Sequence, residues 1–453
     1  MSLDPTPEEM RRLAAVASAR IVEHLARLPQ MRVAARHRVQ ELEPLVAEPL
    51  PAQGFGSEDC LRRFFDELLP RATLVNHPRF FAYVPGPGSF VGALAEWVAA
   101  ATNLFVGTWL GGASMAQLEV LVLRWLAEIL GLPQHTGILT TGGSMANLGA
   151  LAAARSTLTD RDRAVLYASS EGHYSLAKAA RVLGFAENRI RSLPVDGHQR
   201  LDPAAVRQQL ARDRAAGLLP FCLCASAGTT STGAIDPLPE LAELCATERL
   251  WFHVDAAYGG AVAIVPEARK LLRGIERCDS ITIDPHKGLY VPFECGCLLV
   301  RDVETLRRAF TADGSYLQDV PRDEVNFFER GPELSRGNRA LKLWFVLRAL
   351  GTEPIAAAVR EDLRLCRLAR ELLGADPRIE IVTEPILSVF AFAVAGGEAA
   401  GKRLVERLLA DGHTMLSSTR VTDRFVLRFC VVNHRTTEAD IRSSVQRILG
   451  AID

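Results

Sequence analysis

Short apolar runs alternate with amphipathic stretches between about residue 137 and residue 300. Apolar runs of strand length that alternate with helical patterns are typical of a mostly parallel central sheet with helices on both faces. The sequence therefore predicts an α/β fold. The predicted strands are Gly137–Thr141, Ala164–Ala168, Leu219–Ala225, Trp251–Asp255, Ser280–Asp284 and Gly296–Val300, with helices such as Asn147–Arg155 and Leu238–Cys245 between them.

The pattern changes after a helix predicted over Ala340–Leu350. Helices and strands still alternate, but the strands are fewer and more widely spaced, which indicates a separate and smaller α/β domain. Its predicted elements are a helix near Ile355–Leu373, a strand at Ile386–Val394, a helix near Lys402–Leu409, a strand at Phe425–Val431 and a last helix.

Residues from about 6 to 48 have a mixed Arg, Glu and Leu character, with proline breaks at Pro29 and from Pro44 to Pro51. A helical arm of this composition has too little apolar surface to fold alone. We expect it to lie on another part of the molecule or on a second subunit, the alternative being a partly ordered tail. The expected organisation is an arm at 1–75, a large domain at 76–350 and a small domain at 351–453.

Composition narrows the class of protein. The 453 residues carry a net charge of −1, which offers no global attraction to nucleic acid or to an anionic membrane. No apolar run of about 18 residues is present, so no membrane span is predicted. The nine cysteines are an odd number scattered through apolar stretches, and the first residues lack a secretory signal pattern, so we expect a reducing cytoplasm.

Residues 280–288, Ser-Ile-Thr-Ile-Asp-Pro-His-Lys-Gly, place His286 and Lys287 at the carboxyl end of a predicted strand. Open α/β sheets bind their ligands at that end. A lysine in such a cleft loses solvation, which favours the free amine that attacks a carbonyl. Alone, the same residues would also fit a surface turn.

Asp255 ends a second apolar strand, Trp251–Asp255. A buried carboxylate is costly unless a cation meets it, and the protonated ring nitrogen of a pyridine cofactor would be such a cation. The alternative is an aspartate that caps the following turn.

Residues 140–147, Thr-Thr-Gly-Gly-Ser-Met-Ala-Asn, join a strand to a helix. Successive backbone N–H groups at the helix start, with the Ser144 hydroxyl, suit a phosphate dianion. The segment lacks a P-loop lysine and a dinucleotide-binding glycine pattern, so ATP and NAD are disfavoured. Two weaker features also follow predicted strands: His173, which could stack on a flat ring or relay a proton, and the hydroxyl-rich turn Ala227–Gly233.

A phosphate cradle, a histidine for a ring, a carboxylate for a pyridinium and a lysine for an imine therefore occur in one chain. These are the groups that pyridoxal 5′-phosphate (PLP) requires. The chain also resembles the group II amino acid decarboxylases, which are PLP enzymes of fold-type I and act on aromatic amino acids, histidine or glutamate. The resemblance runs from 76–85 to 428–435 and is carried by Asp284-Pro-His-Lys287, similar to the family's Asn-Pro-His-Lys, and by His253-Val-Asp-Ala-Ala257.

The resemblance implies roles for single residues at the cofactor. Lys287 would form the imine, Asp255 would hold the pyridinium and His173 would stack on the ring. The other implied cofactor contacts are Gly143, Ser144 and His286 at the phosphate, Thr230 at the phenolic oxygen, and Asp284 beside the imine.

The resemblance also implies a substrate site and an obligate homodimer, whose helical arm wraps the partner. Arg428 would meet the substrate carboxylate. The side-chain pocket would be formed by Tyr83, Val84, Pro85, Phe105 and Gly107, some of them across the dimer interface. The implied reaction is decarboxylation of an aromatic or bulky L-amino acid to its amine and CO2.

Two departures from the family pattern bear on the chemistry. Asp284 stands where the family commonly has asparagine, which adds a negative charge near the imine. The region 317–336 contains no tyrosine, and an ungapped alignment from Leu341 places Phe327 where the family has a catalytic tyrosine. Phenylalanine at that position is associated with aldehyde synthases, so the nearest alternative activity is decarboxylation with oxidative deamination.

Two further alternatives come from other classes of protein. His253, Asp255, Asp284 and His286 could hold a metal in a hydrolase, which would leave Lys287 without a role. The chain could also be an inactive binding protein that retains the PLP fold.

Overall fold

The computed structural model describes residues 3–312 and 314–452. Residues 1, 2 and 453, the extreme ends of the predicted arm and of the predicted C-terminal domain, lie outside the described residues, as does residue 313.

A seven-stranded sheet forms the centre of the molecule, in the order β1-β7-β6-β5-β4-β2-β3. Strand β7 runs antiparallel to both β1 and β6, and the remaining pairs are parallel. The predicted α/β class with a mostly parallel sheet is confirmed. The strands are β1 (Thr136–Thr140), β2 (Ala164–Ser169), β3 (Ile190–Leu193), β4 (Leu219–Ser226), β5 (Trp251–Asp255), β6 (Ser280–Ile283) and β7 (Gly296–Val300).

A second sheet of four antiparallel strands lies in the C-terminal part, in the order β10-β11-β9-β8. Its strands are β8 (Ile379–Thr383), β9 (Val389–Val394), β10 (Ser417–Val421) and β11 (Arg424–Cys430). The pattern of apolar and polar residues in the sequence did not predict β3, β8 or β10. Each is an edge strand with few buried positions, so its apolar signal is weak.

Helices cover the two sheets. The α-helices are α1 (Pro7–Arg27), α2 (Val39–Val46), α3 (Ser57–Arg63), α4 (Phe90–Thr102), α5 (Trp109–Leu130), α6 (Gly143–Ser156), α7 (Ser175–Val182), α8 (Pro203–Ala215), α9 (Leu238–Glu248), α10 (Glu304–Phe310), α11 (Arg339–Phe345), α12 (Thr352–Gly374), α13 (Gly397–Asp411) and α14 (Glu438–Gly450). None of the helices in the described part of the chain is long and apolar enough to cross a membrane.

Residues just after position 76 pack against the C-terminal sheet. The Phe81 ring stacks on Phe429 with centroids 4.2 Å apart, and the Cys430 N–H donates to the Phe81 carbonyl at 3.1 Å. The segment that was expected to open the large domain therefore also completes the core of the C-terminal part. The domain boundaries themselves remain predictions.

Candidate active site

Five strand ends meet at one edge of the central sheet. Because β1, β6, β5, β4 and β2 all run in the same direction, their carboxyl ends lie side by side. The loops that follow them enclose a cleft of about 300 Å³. Its lining includes Gly142, Gly143, Ser144, Asn147, His173, Ser226, Thr230, Asp255, Tyr258, Asp284, His286 and Lys287.

Lys287 lies in this cleft and pairs with a carboxylate of its own turn. Its Nζ is 3.1 Å from Asp284 Oδ2, and its side chain is 21% exposed, whereas Asp284 is buried. Strand β6 ends at Ile283, so Asp284 is the first residue beyond the strand, not its last residue as predicted. The amine is therefore accessible from the cleft and held at the sheet edge.

His286 is fixed from the opposite side of the same turn. Its Nδ1 accepts from the Cys295 N–H at 3.2 Å, and its Nε2 is 3.6 Å from Asp284 Oδ2. Burial lowers the pKa of His286, although the charge of Asp284 acts in the opposite direction.

Asp255 ends β5 as predicted and is held by two donors. The Asn147 side-chain amide donates to Oδ2 at 2.8 Å, and the Ala257 N–H donates to Oδ1 at 3.1 Å. Asp255 is 7% exposed and lines the cleft. Among the described residues no cation pairs with Asp255, so these two donors hold its carboxylate at the wall of the cleft.

Asn147, which the sequence reasoning did not single out, connects Asp255 to His173. The second N–H of its amide donates to Ser175 Oγ at 2.9 Å. His173 Nδ1 lies 2.7 Å from Ser175 Oγ and accepts from the Ser175 backbone N–H at 3.4 Å, so this nitrogen is an acceptor. His173 therefore carries its proton on Nε2. Ser175 is the first residue of α7 and connects Asn147 to His173.

A buried network holds the other side of Asn147. Its Oδ1 accepts from Thr282 Oγ1 at 2.8 Å and from His253 Nε2 at 3.1 Å. Burial lowers the pKa of His253 to about 4, so the imidazole is neutral at neutral pH. A signal for Asn147 was present in the sequence, since it is a polar residue within the otherwise small and apolar helix α6.

The predicted phosphate cradle lies at the start of α6. The helix begins at Gly143, earlier than the predicted Asn147, so the N–H groups of its first turn face the cleft. Small residues are required here for space. A Cβ on Gly143 would lie 3.0 Å from Asp284 Oδ2, and a Cβ on Gly296 would lie 2.4 Å from the Gly142 Cα.

Arg428 is buried beside the cleft and makes four hydrogen bonds to protein oxygens. Nε donates to the Ser231 carbonyl at 3.0 Å, Nη1 donates to Ser417 Oγ at 2.8 Å, and Nη2 donates to the carbonyls of Tyr83 and Thr230. The guanidinium therefore joins the 227–233 turn to the segment at Tyr83. Burial lowers the pKa of Arg428.

The residues predicted to line a substrate pocket lie outside the wall of this cleft. Tyr83 is 59% exposed, Val84 and Phe105 are partly buried, and Pro85 and Gly107 are buried. A Cβ on Gly107 would lie 2.5 Å from the Phe105 ring, and the Gly107 carbonyl accepts from the Phe328 N–H at 3.0 Å.

Phe327, the residue aligned with the family's loop tyrosine, is fully buried. Its ring lies between the guanidinium groups of Arg330 and Arg336, 5.3 and 5.0 Å from its centroid. In the described part of the chain this ring is a core residue and does not face the cleft.

The proposed metal ligands do not form a metal site. Within residues 3–312 and 314–452 no group of three or more His, Cys, Asp or Glu side chains is placed to hold a metal ion. His253 is hydrogen-bonded through both ring nitrogens, to Asn147 and Ser280.

Comparison with known proteins decides the family. Residues 41–395 match the model of the pyridoxal-dependent decarboxylase conserved domain. The chain belongs to the pyridoxal-dependent decarboxylases. An aromatic-L-amino-acid decarboxylase of Bacillus atrophaeus is 35% identical over 461 residues, which cover 99% of this chain and 96% of that protein.

Two solved structures share the fold over nearly the whole chain. The Oryza sativa TDC with PLP and tryptamine has a TM-score of 0.94 and 30% identity, and the match covers 99% of both chains. The Rhodiola rosea 4-hydroxyphenylacetaldehyde synthase has a TM-score of 0.92 and 27% identity, with 98% of both chains covered. The enzyme is thus a PLP-dependent carboxy-lyase of fold-type I, and its cofactor is PLP.

The residues at the sheet edge fit this cofactor. Asp255 is a buried carboxylate without a cation, and Asp284 Oδ1 is a buried oxygen without a hydrogen-bond partner in the described structure. The space at Gly143 would be filled by any side chain. A pyridinium would pair with Asp255, and an anionic group would use the space at Gly143.

Proposed function

We propose that the enzyme decarboxylates an aromatic L-amino acid to its arylalkylamine, with Lys287, Asp255 and His173 as the catalytic residues. The single observation that carries the assignment of residues is the cleft in which Lys287, Asp255 and His173 lie beside the start of α6. The aromatic substrate class is supported by the similarity to an aromatic-L-amino-acid decarboxylase and to a TDC that binds tryptamine.

Each side chain has one task in this proposal. Lys287, whose side chain lines the cleft, would hold the cofactor through its amine. PLP, when bound, accepts the electron pair that remains on Cα after CO2 departs. Asp255 keeps the ring nitrogen protonated, since its two donors, Asn147 and Ala257, stabilise the carboxylate.

His173 and the start of α6 orient the cofactor. His173 donates from Nε2 into the cleft, because Ser175 occupies its Nδ1. The backbone N–H groups at Gly143 and Ser144 bind the phosphate, with a favourable helix dipole. Arg428 acts on the same region by fixing the carbonyl of Thr230, whose side chain lines the cleft.

A substrate panel tests the proposal. Purified enzyme with added PLP is incubated with L-tryptophan, L-tyrosine, L-phenylalanine, L-glutamate and L-histidine, and CO2, amine and hydrogen peroxide are measured together. We expect CO2 and amine in equal amounts from at least one aromatic amino acid, and no product with a Lys287→Ala variant. Turnover of L-glutamate or L-histidine alone would overturn the aromatic assignment.

An aldehyde synthase activity is the second candidate, favoured by the similarity to the Rhodiola rosea enzyme and by Phe327 at the aligned position. Against it, the Phe327 ring is enclosed between two arginines and does not line the cleft. Peroxide and aldehyde in place of amine in the same panel would establish this activity.

We also propose that the enzyme is a homodimer. None of the 21 residues of α1 is buried. Several large apolar side chains in the following part of the chain are also exposed, among them Phe64, Phe90, Trp97 and Leu110. Exposed apolar surface of this extent is typical of an interaction site. Light scattering after gel filtration should give twice the mass of one chain, and Trp97→Asp should shift the enzyme toward monomer whereas Val182→Asp, on an exposed face of α7, should not. A monomeric wild type would refute the proposal.

A further inference from the structure

The turn after β6 contains a residue in a strained backbone conformation. Tyr290 has a φ of 56°, which lies in the left-handed region that bulky residues rarely adopt. Its N–H donates to the Lys287 carbonyl at 3.1 Å, so the strained residue contacts the lysine of the cleft directly. A conformation of this kind persists only where the surrounding structure holds it. The contacts of Tyr290 therefore bear on the position of Lys287.

The Tyr290 hydroxyl is bonded to a buried carboxyl group from a distant part of the chain. It donates to Asp362 Oδ2 at 2.8 Å, and both residues are buried. Asp362 belongs to α12, and its Oδ1 accepts at 3.2 Å from the N–H of Asn433, in the loop after β11. One carboxyl group thus ties the turn that carries Lys287 to two elements of the C-terminal part.

The other contacts of Tyr290 do not involve its hydroxyl. The Ser89 N–H donates to the Tyr290 carbonyl at 2.7 Å, and the centroid of the Tyr290 ring lies 5.1 Å from that of the His434 ring. Burial raises the pKa of Asp362 to about 8. A carboxylic acid and a carboxylate can both bond to a phenol hydroxyl, so the contact with Tyr290 does not depend on that proton. Replacing Tyr290 with phenylalanine therefore removes this bond and keeps the ring.

We propose that Asp362 is a positioning residue for Lys287, and that it acts through the Tyr290 hydroxyl to keep the turn in its strained conformation. The proposal rests on the proposed role of Lys287 in holding PLP. Without the bond to Asp362, Tyr290 relaxes toward negative φ in most molecules, and fewer molecules present the lysine correctly. Relief of such strain changes the population by a factor of roughly 5 to 30, so the apparent affinity for PLP should fall by the same factor.

The test removes the contact from each side. Apoenzyme of Tyr290→Phe, of Asp362→Leu and of the double variant is titrated with PLP, and covalent capture is followed by borohydride trapping. We expect each single variant to lose roughly 5- to 30-fold in affinity and in capture rate. The double variant should lose no more than one single variant, because all three remove the same contact. Wild-type affinity in Tyr290→Phe, or losses that add in the double variant, would overturn the proposal.

Tyr167→Phe is the matched control. The Tyr167 hydroxyl donates to Asp213 Oδ2 at 2.8 Å, and both residues are buried. Tyr167 lies in β2 and does not line the cleft. We expect this variant to lose free energy of unfolding in urea, as Tyr290→Phe does, but to capture PLP at the wild-type rate. An equal loss of capture in both variants would trace the effect to stability alone and overturn the proposal.

Tyr290→Asn separates the position of the turn from the packing of the ring. Asparagine adopts the left-handed conformation more readily than other residues with a side chain, but it removes a buried aromatic ring. We expect Tyr290→Asn to be less stable than Tyr290→Phe and yet to capture PLP faster. The opposite order of capture rates would overturn the proposal. If Tyr290→Asn does not fold, hydrogen exchange of apoenzyme decides: Tyr290→Phe should speed exchange at residues 287–291 more than in β6, and an equal change would overturn the proposal.

The borohydride label keeps a failure of this proposal apart from a failure of the lysine assignment. If the label in wild type lies on a lysine other than Lys287, the assignment is wrong and the positioning role falls with it. If Lys287 is labelled in wild type and in Tyr290→Phe at equal rates, only the positioning role is wrong. Labelling of Lys287 that is slower in Tyr290→Phe and unchanged in Tyr167→Phe supports both.

Discussion

Asn147 connects the groups assigned to the ring of the cofactor, and Asn147→Asp is the substitution that isolates its contribution. The change keeps the shape of the side chain and the oxygen that accepts from Thr282 and His253. It removes the amide that donates to both Asp255 and Ser175. An ionised Asp at this position would face Asp255 as a like charge, and a protonated one could donate to only one of the two partners.

The size of the effect follows from the bond that is lost. A hydrogen bond to a charged group contributes about 1.5–3 kcal/mol. Since about 1.4 kcal/mol corresponds to a factor of ten, loss of the 2.8 Å bond to Asp255 should weaken PLP binding roughly 10- to 100-fold. We expect kcat at saturating PLP to fall by a similar factor, because Asp255 then stabilises the ring proton less well. The loss should be larger at pH 8 than at pH 6, where the new carboxyl group is protonated more often.

The assay is a PLP titration of apoenzyme, followed by CO2 release at saturating PLP, at pH 6 and pH 8. Asn188→Asp is the matched control, because Asn188 is exposed and does not line the cleft. The control should bind PLP as wild type does. If Asn147→Asp matches that control within about twofold in both affinity and kcat, the proposed role of Asn147 is wrong.

Three further predictions concern stability and the cradle. Glu119→Gln should lower the free energy of unfolding by about 3–5 kcal/mol in urea titrations, because it leaves the fully buried Arg336 guanidinium without its anion; a loss under 1 kcal/mol would contradict this. The pKa of His253 is lowered by burial to about 4 against an unfolded value near 6.5, so the unfolded chain binds the proton first. The free energy of unfolding should therefore fall by up to about 3 kcal/mol because of this residue as the pH falls from 6.5 to 4. The His253→Gln variant should show a smaller decline over the same range. Parallel curves of unfolding free energy against pH for the two proteins would contradict the prediction. Gly296→Ala should weaken PLP binding, because the new Cβ would lie 2.4 Å from the Gly142 Cα and would displace Gly142. Unchanged affinity for PLP would show that the phosphate cradle can adjust to the added methyl group.

Much of the fold could be predicted because buried central strands leave a strong signal. The predicted strands at Trp251–Asp255 and Gly296–Val300 agree with the structure at both ends, since every residue between their first and last positions is buried. The edge strands β3 and β10 gave no such signal, because polar side chains occupy two of the four positions of β3 and four of the five positions of β10.

The candidate site was predicted in part for a different reason. Asp255 ends β5, and Lys287 and His173 each lie four residues beyond the ends of β6 and β2. A parallel sheet brings such strand ends together whatever the intervening sequence. Asn147 was missed because its contacts are made across three elements, to Asp255, Ser175 and Thr282, and no spacing along the chain encodes them. The buried position of Phe327 depends on contacts of its ring with the guanidinium groups of Arg330 and Arg336. An ungapped sequence alignment carries no information about such contacts.

The central claim is that PLP is held by Lys287 in the cleft at the sheet edge. The chain has only five lysines, at 178, 270, 287, 342 and 402, which makes a direct measurement possible. PLP-loaded enzyme is reduced with borohydride and digested, and the peptide that carries the pyridoxyl group is identified by mass spectrometry. The account predicts one pyridoxyl group per chain, on Lys287. A label on Lys342 or any other lysine, or the absence of a label from enzyme that is active with PLP, would contradict it.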